Sequence, residues 1–168
     1  MSKYKKFLVA ADNHGSLVCQ EAKKVLLSFA ETWKPDYRVH LGDLWDFSPL
    51  RRGASQEEKA DGISDDFIQG LEFLDDFKPN FLTLGNHDDR IYQHATHCSD
   101  GILRERCEEL VQAAEQQFKR RKIQFCQYKV TEFLQMPGCN VKLIHGFRST
   151  IYPAKAHYEN WGECLHGH

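Results

Sequence analysis

Four short apolar runs, each breaking off into Asp, Asn or His, constrain this chain more than any other feature. They are KFLVAADNHGS (residues 6–16), YRVHLGDLWD (37–46), NFLTLGNHDDR (80–90) and VKLIHGF (141–147). Runs this short and this rich in Val, Leu, Ile and Phe read as buried strands, and each carries polar groups into the loop that follows it. Helical patterns lie between them. Residues 16–32 place Leu17, Val18, Val25, Leu26 and Phe29 at helical spacing after Ser16, a candidate cap, and residues 99–121 do the same with Ile102, Leu103, Leu110, Val111 and Phe118 after Ser99 and Asp100. The polar stretch 48–70 opens as a loop and turns helical toward 65–77, and QMPGCN at 135–140 is a turn between two strands. Alternating strand and helix argues for an α/β domain, in which ligands bind beyond the carboxyl ends of the strands.

The chain has 168 residues, which fits one domain over 1–168 able to bury a core without disulfide or metal staples. A net charge of -2 gives no basic field for nucleic acid. Trp33, Trp45, Trp161 and the arginines at 51, 52 and 90 leave a local stacking groove open. The apolar run Phe7 to Ala11 ends at Asp12, too short for a signal peptide or membrane span, so a cytoplasmic protein is expected. The six cysteines contain no CxxC pair and read as reduced, structural thiols.

The strand ends together present Asp12 and His14, then Asp43 and Asp46, then Asn86, His87 and Asp88, then His145. Taken singly, each has a plain structural explanation: DxH and GD are ordinary turns and caps, and a histidine on an apolar strand is most often a satisfied core residue. Taken jointly, carboxylate, imidazole and amide groups delivered to one rim suit borderline divalent cations better than Ca²⁺ or Mg²⁺. A dinuclear site, clamping a phosphate between two cations, is the natural expectation.

In the order DxH, GDxxD, GNHD, HG and a terminal GH, the motifs resemble the calcineurin-like metallophosphoesterase superfamily over nearly the whole chain, from Asp12 to His168. The context LGNHDDRIY is similar to small phage and bacterial members. The resemblance implies a metallophosphoesterase-type β-sandwich flanked by helices. It also implies hydrolysis of a phosphomonoester or phosphodiester by a metal-bound hydroxide. Two divalent ions are implied as cofactors, Mn²⁺ first, with Fe²⁺, Zn²⁺ or Ni²⁺ as alternatives. Asp12 and His14 would bind the first metal, Asp43 would bridge, and Asn86 and His145 would bind the second. His87 would act on the scissile phosphoester without ligating, oriented by Asp46.

Two departures stand out. Where many members follow GDxxD with Arg, this chain has Phe47. Arg90 is the first candidate to replace that phosphate-binding cation, ahead of Arg51, Arg52 and Arg148. The family's last motif is GHxH, whereas ECLHGH supplies only Gly167 and His168 before the sequence stops. The expectation is a strand cut off within the motif, with His168 on the second metal and the last part of the fold missing. His166 with His168 forms an alternative HxH pair, since residues two apart on a strand share a face. The competing reading is a catalytically silent scaffold, or an inactive fragment, that keeps the fold and binds a partner. The segments 48–70 and the helix after Ser99 are expected to wall the site. Substrate and oligomeric state are not legible.

Overall fold

The computed structural model describes residues 4–148 and 150–167. Two sheets form its frame. The first has four parallel strands in the order β1 (Phe7–Ala10), β2 (Tyr37–His40), β3 (Phe81–Thr83) and β4 (Gln124–Cys126). The second has three, β5 (Leu134–Gln135), β6 (Lys142–Ile144) and β7 (Cys164–His166), with β5 antiparallel and β7 parallel to β6.

The strands of the first sheet are apolar on both sides because both faces are covered. Phe7, Val9, Val39 and Phe81 share an apolar cluster with Leu134, Leu143 and Leu165 of the second sheet. Leu8, Ala10 and Leu82 point the other way, into a larger core with Trp45, Phe73, Phe77, Ile91, Leu110 and Phe118. The period-2 alternation of a strand thus separates a sheet-to-sheet layer from a sheet-to-helix layer.

The helices are α1 (Gln20–Trp33), α2 (Gln56–Ala60), α3 (Ser64–Phe77), α4 (Asp89–His97), α5 (Gly101–Arg120) and α6 (Pro153–Trp161). The expected helix at 99–121 is α5, and Asp100 caps it by accepting the Leu103 N–H at 3.1 Å. The helix expected from Ser16 instead begins at Gln20, after a single 3-10 turn at Gly15–Leu17. Ser16 does not cap it; its donors are used elsewhere. Within 48–70 lies a short helix, α2, opened by a reciprocal capping box between Ser55 and Glu58. The strands β4 and the helices α4 and α6 lie in stretches where periodicity gave no warning. The turn at 135–140 joins β5 to β6, closed by the Met136 N–H on the Val141 carbonyl at 2.9 Å.

The motif strands do not all share one sheet. The first three motifs follow adjacent strands β1, β2 and β3, but His145 follows β6 of the second sheet. His145 still reaches the same rim, because its Nδ1–H donates to the carbonyl of Leu41, just past β2, at 2.7 Å. No helix among the described residues is long and apolar enough to cross a membrane.

Candidate metal centre

The loops after β1 and β2 are stitched together by their backbones. Asp12 N–H donates to the Gly42 carbonyl at 3.0 Å, His14 N–H to Asp43 at 3.0 Å and Gly15 N–H to Leu44 at 2.8 Å. Asp12, His14 and Asp43 all take positive φ, at 56°, 50° and 50°, a conformation that L-residues adopt only when their surroundings hold them. Asn13 and His40 form the buried part of that support. Gly42 N–H donates to His40 Nδ1 at 3.3 Å, which leaves His40 Nε2–H to donate to Asn13 Oδ1 at 2.7 Å, while Asn13 Nδ2 donates to the Leu44 carbonyl at 2.9 Å. Burial pushes His40 down to about 3, so it stays neutral in this chain of bonds.

The loop after β3 is fixed by Asp88, which is fully buried. Its Oδ1 accepts the Trp45 N–H at 2.8 Å, and its Oδ2 those of Gly85 at 2.8 Å and Leu44 at 3.2 Å. Gly85 is required by close approach: a Cβ there would stand 2.1 Å from Asp43 Oδ1.

Asp43, 2% exposed, is the centre of the arrangement. Its Oδ1 accepts the His87 N–H at 2.9 Å. Its Oδ2 lies 3.3 Å from His145 Nε2 and 3.9 Å from the Nε2 atoms of both His14 and His87. Two groups of side chains bring ligand atoms within 4.8 Å of one another, His14 with Asp43 and His87, and Asp12 with Asp43 and His145. Asp43 belongs to both. Asn86 joins the second, its Oδ1 3.0 Å from His145 Nε2. The donor set is imidazole, carboxylate and one amide, the mixed chemistry that borderline divalent cations favour.

Asp46 sits behind the first group. Its Oδ1 accepts from His14 Nδ1 at 3.0 Å and from His87 Nδ1 at 2.8 Å, and its Oδ2 accepts the Ser48 hydroxyl. Burial would raise the Asp46 carboxyl, but the Ser48 bond and the His87 partner hold it below the usual range. With both Nδ1 protons directed at Asp46, both Nε2 lone pairs face Asp43. Arg90 approaches from the opposite side, donating Nη1–H to the Asp46 carbonyl at 2.6 Å and Nη2–H to His87 Nε2 at 3.4 Å. Burial, with Arg90 nearby, lowers the His87 pKa despite the carboxylates. Burial also opposes charge on His145, but the Asp43 bond and charge outweigh it and hold this imidazole above its ordinary value.

A family model described as calcineurin-like phosphoesterase matches residues 5–167. The chain belongs to the calcineurin-like phosphoesterase family. Comparison with curated proteins and with solved structures finds no match. For this phosphoesterase-family chain, hydrolysis of phosphoesters with divalent metals is the chemistry its family carries, and candidate ligands for such metals stand together in the structure.

The sequence-derived residues fall into place unevenly. Asp12, His14, Asp43, Asp46, Asn86, His87, Arg90 and His145 converge on one rim. Asp12 is grouped with His145 rather than with His14, and His87 stands beside His14, their rings 4.6 Å apart. Phe47, in the place of the expected Arg, is fully buried against Trp45. Arg51 pairs with Glu58 at 2.8 Å, and Arg52 and Arg148 are exposed. His168 lies outside the described residues. Gly167 comes close, since a Cβ on it would stand 3.2 Å from Asp12 Oδ2, whereas His166 stacks on His157 at 4.3 Å.

A cavity of about 520 Å³ opens beside Asp12, His14 and Asp46, with Leu17, Val18, Lys23, Leu26 and Phe73 among the residues of its wall. Of the expected walls, Ser48 and Asp66 from 48–70 reach the rim at Asp46, while Arg51, Lys59 and Ile63 from that segment, with His94 and with Leu103 of α5, line a separate cavity of about 830 Å³. Asn13, His40 and Asp66 are the supporting residues that sequence reasoning passed over. Little in the sequence singled out His40, since its strand YRVH also carries Arg38.

Proposed function

We propose that this protein hydrolyses a phosphomonoester or phosphodiester at a dinuclear divalent-metal site, Mn²⁺ first among the candidates, in the cytoplasm. The observation that carries the reading is the place of Asp43 in both ligand groups, with His14 and His87 on one side and Asp12 and His145 on the other. Asp12, His14, Asp43, Asn86 and His145, together with His168, would hold the pair. When bound, such cations polarise the phosphoryl group and lower the pKa of water toward neutrality, so that no side-chain nucleophile is needed.

The chain's own residues do the rest. Arg90, whose guanidinium lies beside His87 Nε2, binds a phosphoryl oxygen and offsets its charge. Asp46 fixes the tautomer of His87 by taking its Nδ1–H, so Nε2 carries the lone pair that takes up a proton, and the Asp46 carboxylate stabilises the imidazolium that then protonates the leaving oxygen. The cavity beside Asp12, His14 and Asp46 receives the leaving group. Free thiols at all six cysteines fit a reducing compartment.

The test is hydrolysis of chromogenic phosphomonoester and phosphodiester substrates by metal-stripped protein, with Mn²⁺, Fe²⁺, Zn²⁺ or Ni²⁺ restored in turn. Activity is expected only with metal, and His87→Ala is expected to lower kcat by about 10²–10⁴. Absence of turnover with every metal, or full turnover by His87→Ala, would refute the assignment.

A further inference from the structure

A carboxylate from outside every motif reaches two of the loops that carry the candidate ligands. Asp66 lies in the first turn of α3 and is 7% exposed. Its Oδ2 accepts the N–H of Asp46 at 3.0 Å and of Phe47 at 2.9 Å. Its Oδ1 accepts the Ser16 N–H at 2.9 Å and the Ser16 hydroxyl at 3.4 Å. One side chain therefore ties the loop after β1 to the loop after β2.

The donors it holds stand where the backbone is least favourable. Phe47 has φ 49°, and His14 and Gly15, immediately before Ser16, have φ 50° and 47°. Positive φ at a bulky residue such as Phe persists only under tertiary restraint. The approach is also close: a Cβ on Gly15 would meet Asp66 Oδ1 at 2.0 Å, so glycine is a condition of the contact. Only a carboxylate supplies two acceptor oxygens here. An amide in its place would turn an NH₂ toward one set of N–H donors.

We propose that Asp66 is a positioning residue, a clamp that fixes the loop carrying His14 against the loop carrying Asp43 and Asp46 and so sets the geometry of the metal centre. The catalytic consequence rests on the phosphoesterase reading above; the clamp itself does not.

Amide hydrogen exchange on the full chain reads the clamp without mutation. The amides of Ser16, Asp46 and Phe47 are expected to exchange about 100-fold or more slower than that of the exposed loop residue Gly53. Exchange at the Gly53 rate overturns the proposal. Asp66→Asn, compared with wild type well below both melting temperatures, is expected to bind Mn²⁺ about tenfold more weakly by calorimetry and to lose about 100-fold in kcat, with KM within about threefold. A side chain that only holds the fold together would lower the melting temperature and leave the Mn²⁺ affinity and kcat of the folded protein unchanged, which also overturns it. If Asp66→Asn does not fold, Asp66→Glu is read in the same way, and the exchange result decides independently of either. Protected amides and weakened Mn²⁺ binding, in a wild type that hydrolyses no phosphoester, would refute the phosphoesterase reading and leave the clamp standing.

Discussion

At the residue scale, the support around the candidate ligands is as specific as those residues themselves. His40 accepts from Gly42 and donates to Asn13 with no water contact, and burial holds its pKa down to about 3. The unfolded chain takes up this proton near pH 6.5, whereas the folded chain does not until about pH 3. Its contribution to stability is therefore complete above 6.5 and declines as pH falls through that window. Urea unfolding is expected to show stability dropping by about 1 kcal/mol per pH unit between roughly pH 6 and pH 4 from this group. His40→Gln, which cannot titrate, should give a flatter curve; an equally steep one would remove His40 as the cause. Arg90 is the other residue whose geometry makes a sharp statement. Its two nitrogens address the Asp46 carbonyl and His87 Nε2 at once, which a lysine cannot do. Arg90→Lys is expected to lose about tenfold or more in kcat/KM toward a chromogenic phosphoester, despite keeping the charge.

At the scale of elements, α3 organises the rim from behind. Beyond Asp66, the α3 carbonyl of Phe67 accepts the Trp45 Nε1–H at 3.0 Å, and the Trp45 ring stacks on Phe67 at 5.2 Å. Gly70, one turn further on, lets the indole lie against the helix: a Cβ there would stand 2.1 Å from Trp45 Nε1. Helix propensity favours alanine over glycine by about 1 kcal/mol, and steric overlap opposes it. The overlap should win. Gly70→Ala is expected to destabilise the protein by about 1–3 kcal/mol in denaturant unfolding and to lower activity as Trp45 shifts the loop between Asp43 and Asp46. A stabilised variant would show that the ring can move aside freely.

The elements differ in how far the sequence disclosed them. β1, β2, β3, α3 and α5 carry enough apolar patterning or capping to be read directly, and the expected helical stretches 65–77 and 99–121 agree with α3 and α5 to within two residues at each end. Ser before a helical pattern is a good cap signal, yet Ser16 lies within the 3-10 turn ahead of α1, bound to Asp66 fifty positions on. α4 was hidden behind the GNHDD motif, whose Asp and Asn residues read as loop. β4 is as short as β3, but QFC has no motif running out of its end to mark it as a strand. Asp66 itself was masked by position, since an acid in the first turn of a helix is commonplace.

At the scale of the whole molecule, the centre forms where two sheets meet, and its protonation follows. His145 comes from the second sheet, and its ring donates to Leu41 while Nε2 faces Asp43 and Asn86. Burial resists its charge, but Asp43 overrides that and raises its pKa. A cation must displace the Nε2 proton to use this imidazole. Mn²⁺ binding is therefore expected to release protons, to weaken as pH falls through the raised His145 pKa, and to strengthen toward alkaline pH. Calorimetry in buffers of different ionisation enthalpy measures this; proton-independent binding would take His145 out of the ligand set.

What the sequence by itself determined was the list of candidate ligand types and their order on strand ends, because a strand that breaks into Asp, His or Asn states both the geometry and the chemistry locally. It also pointed to Arg90 as the first candidate for a phosphate-binding cation, from nearness to a motif alone. Only the tertiary structure decided which groups face each other: that His14 stands with His87 and Asp12 with His145, that His145 arrives from another sheet, and that His40, Asn13 and Asp66 hold the loops. The physical reason is that residue type and period are properties of short stretches. Pairing across 50 or 100 positions, as between Ser16 and Asp66 or Leu41 and His145, is fixed by the packing of layers against one another.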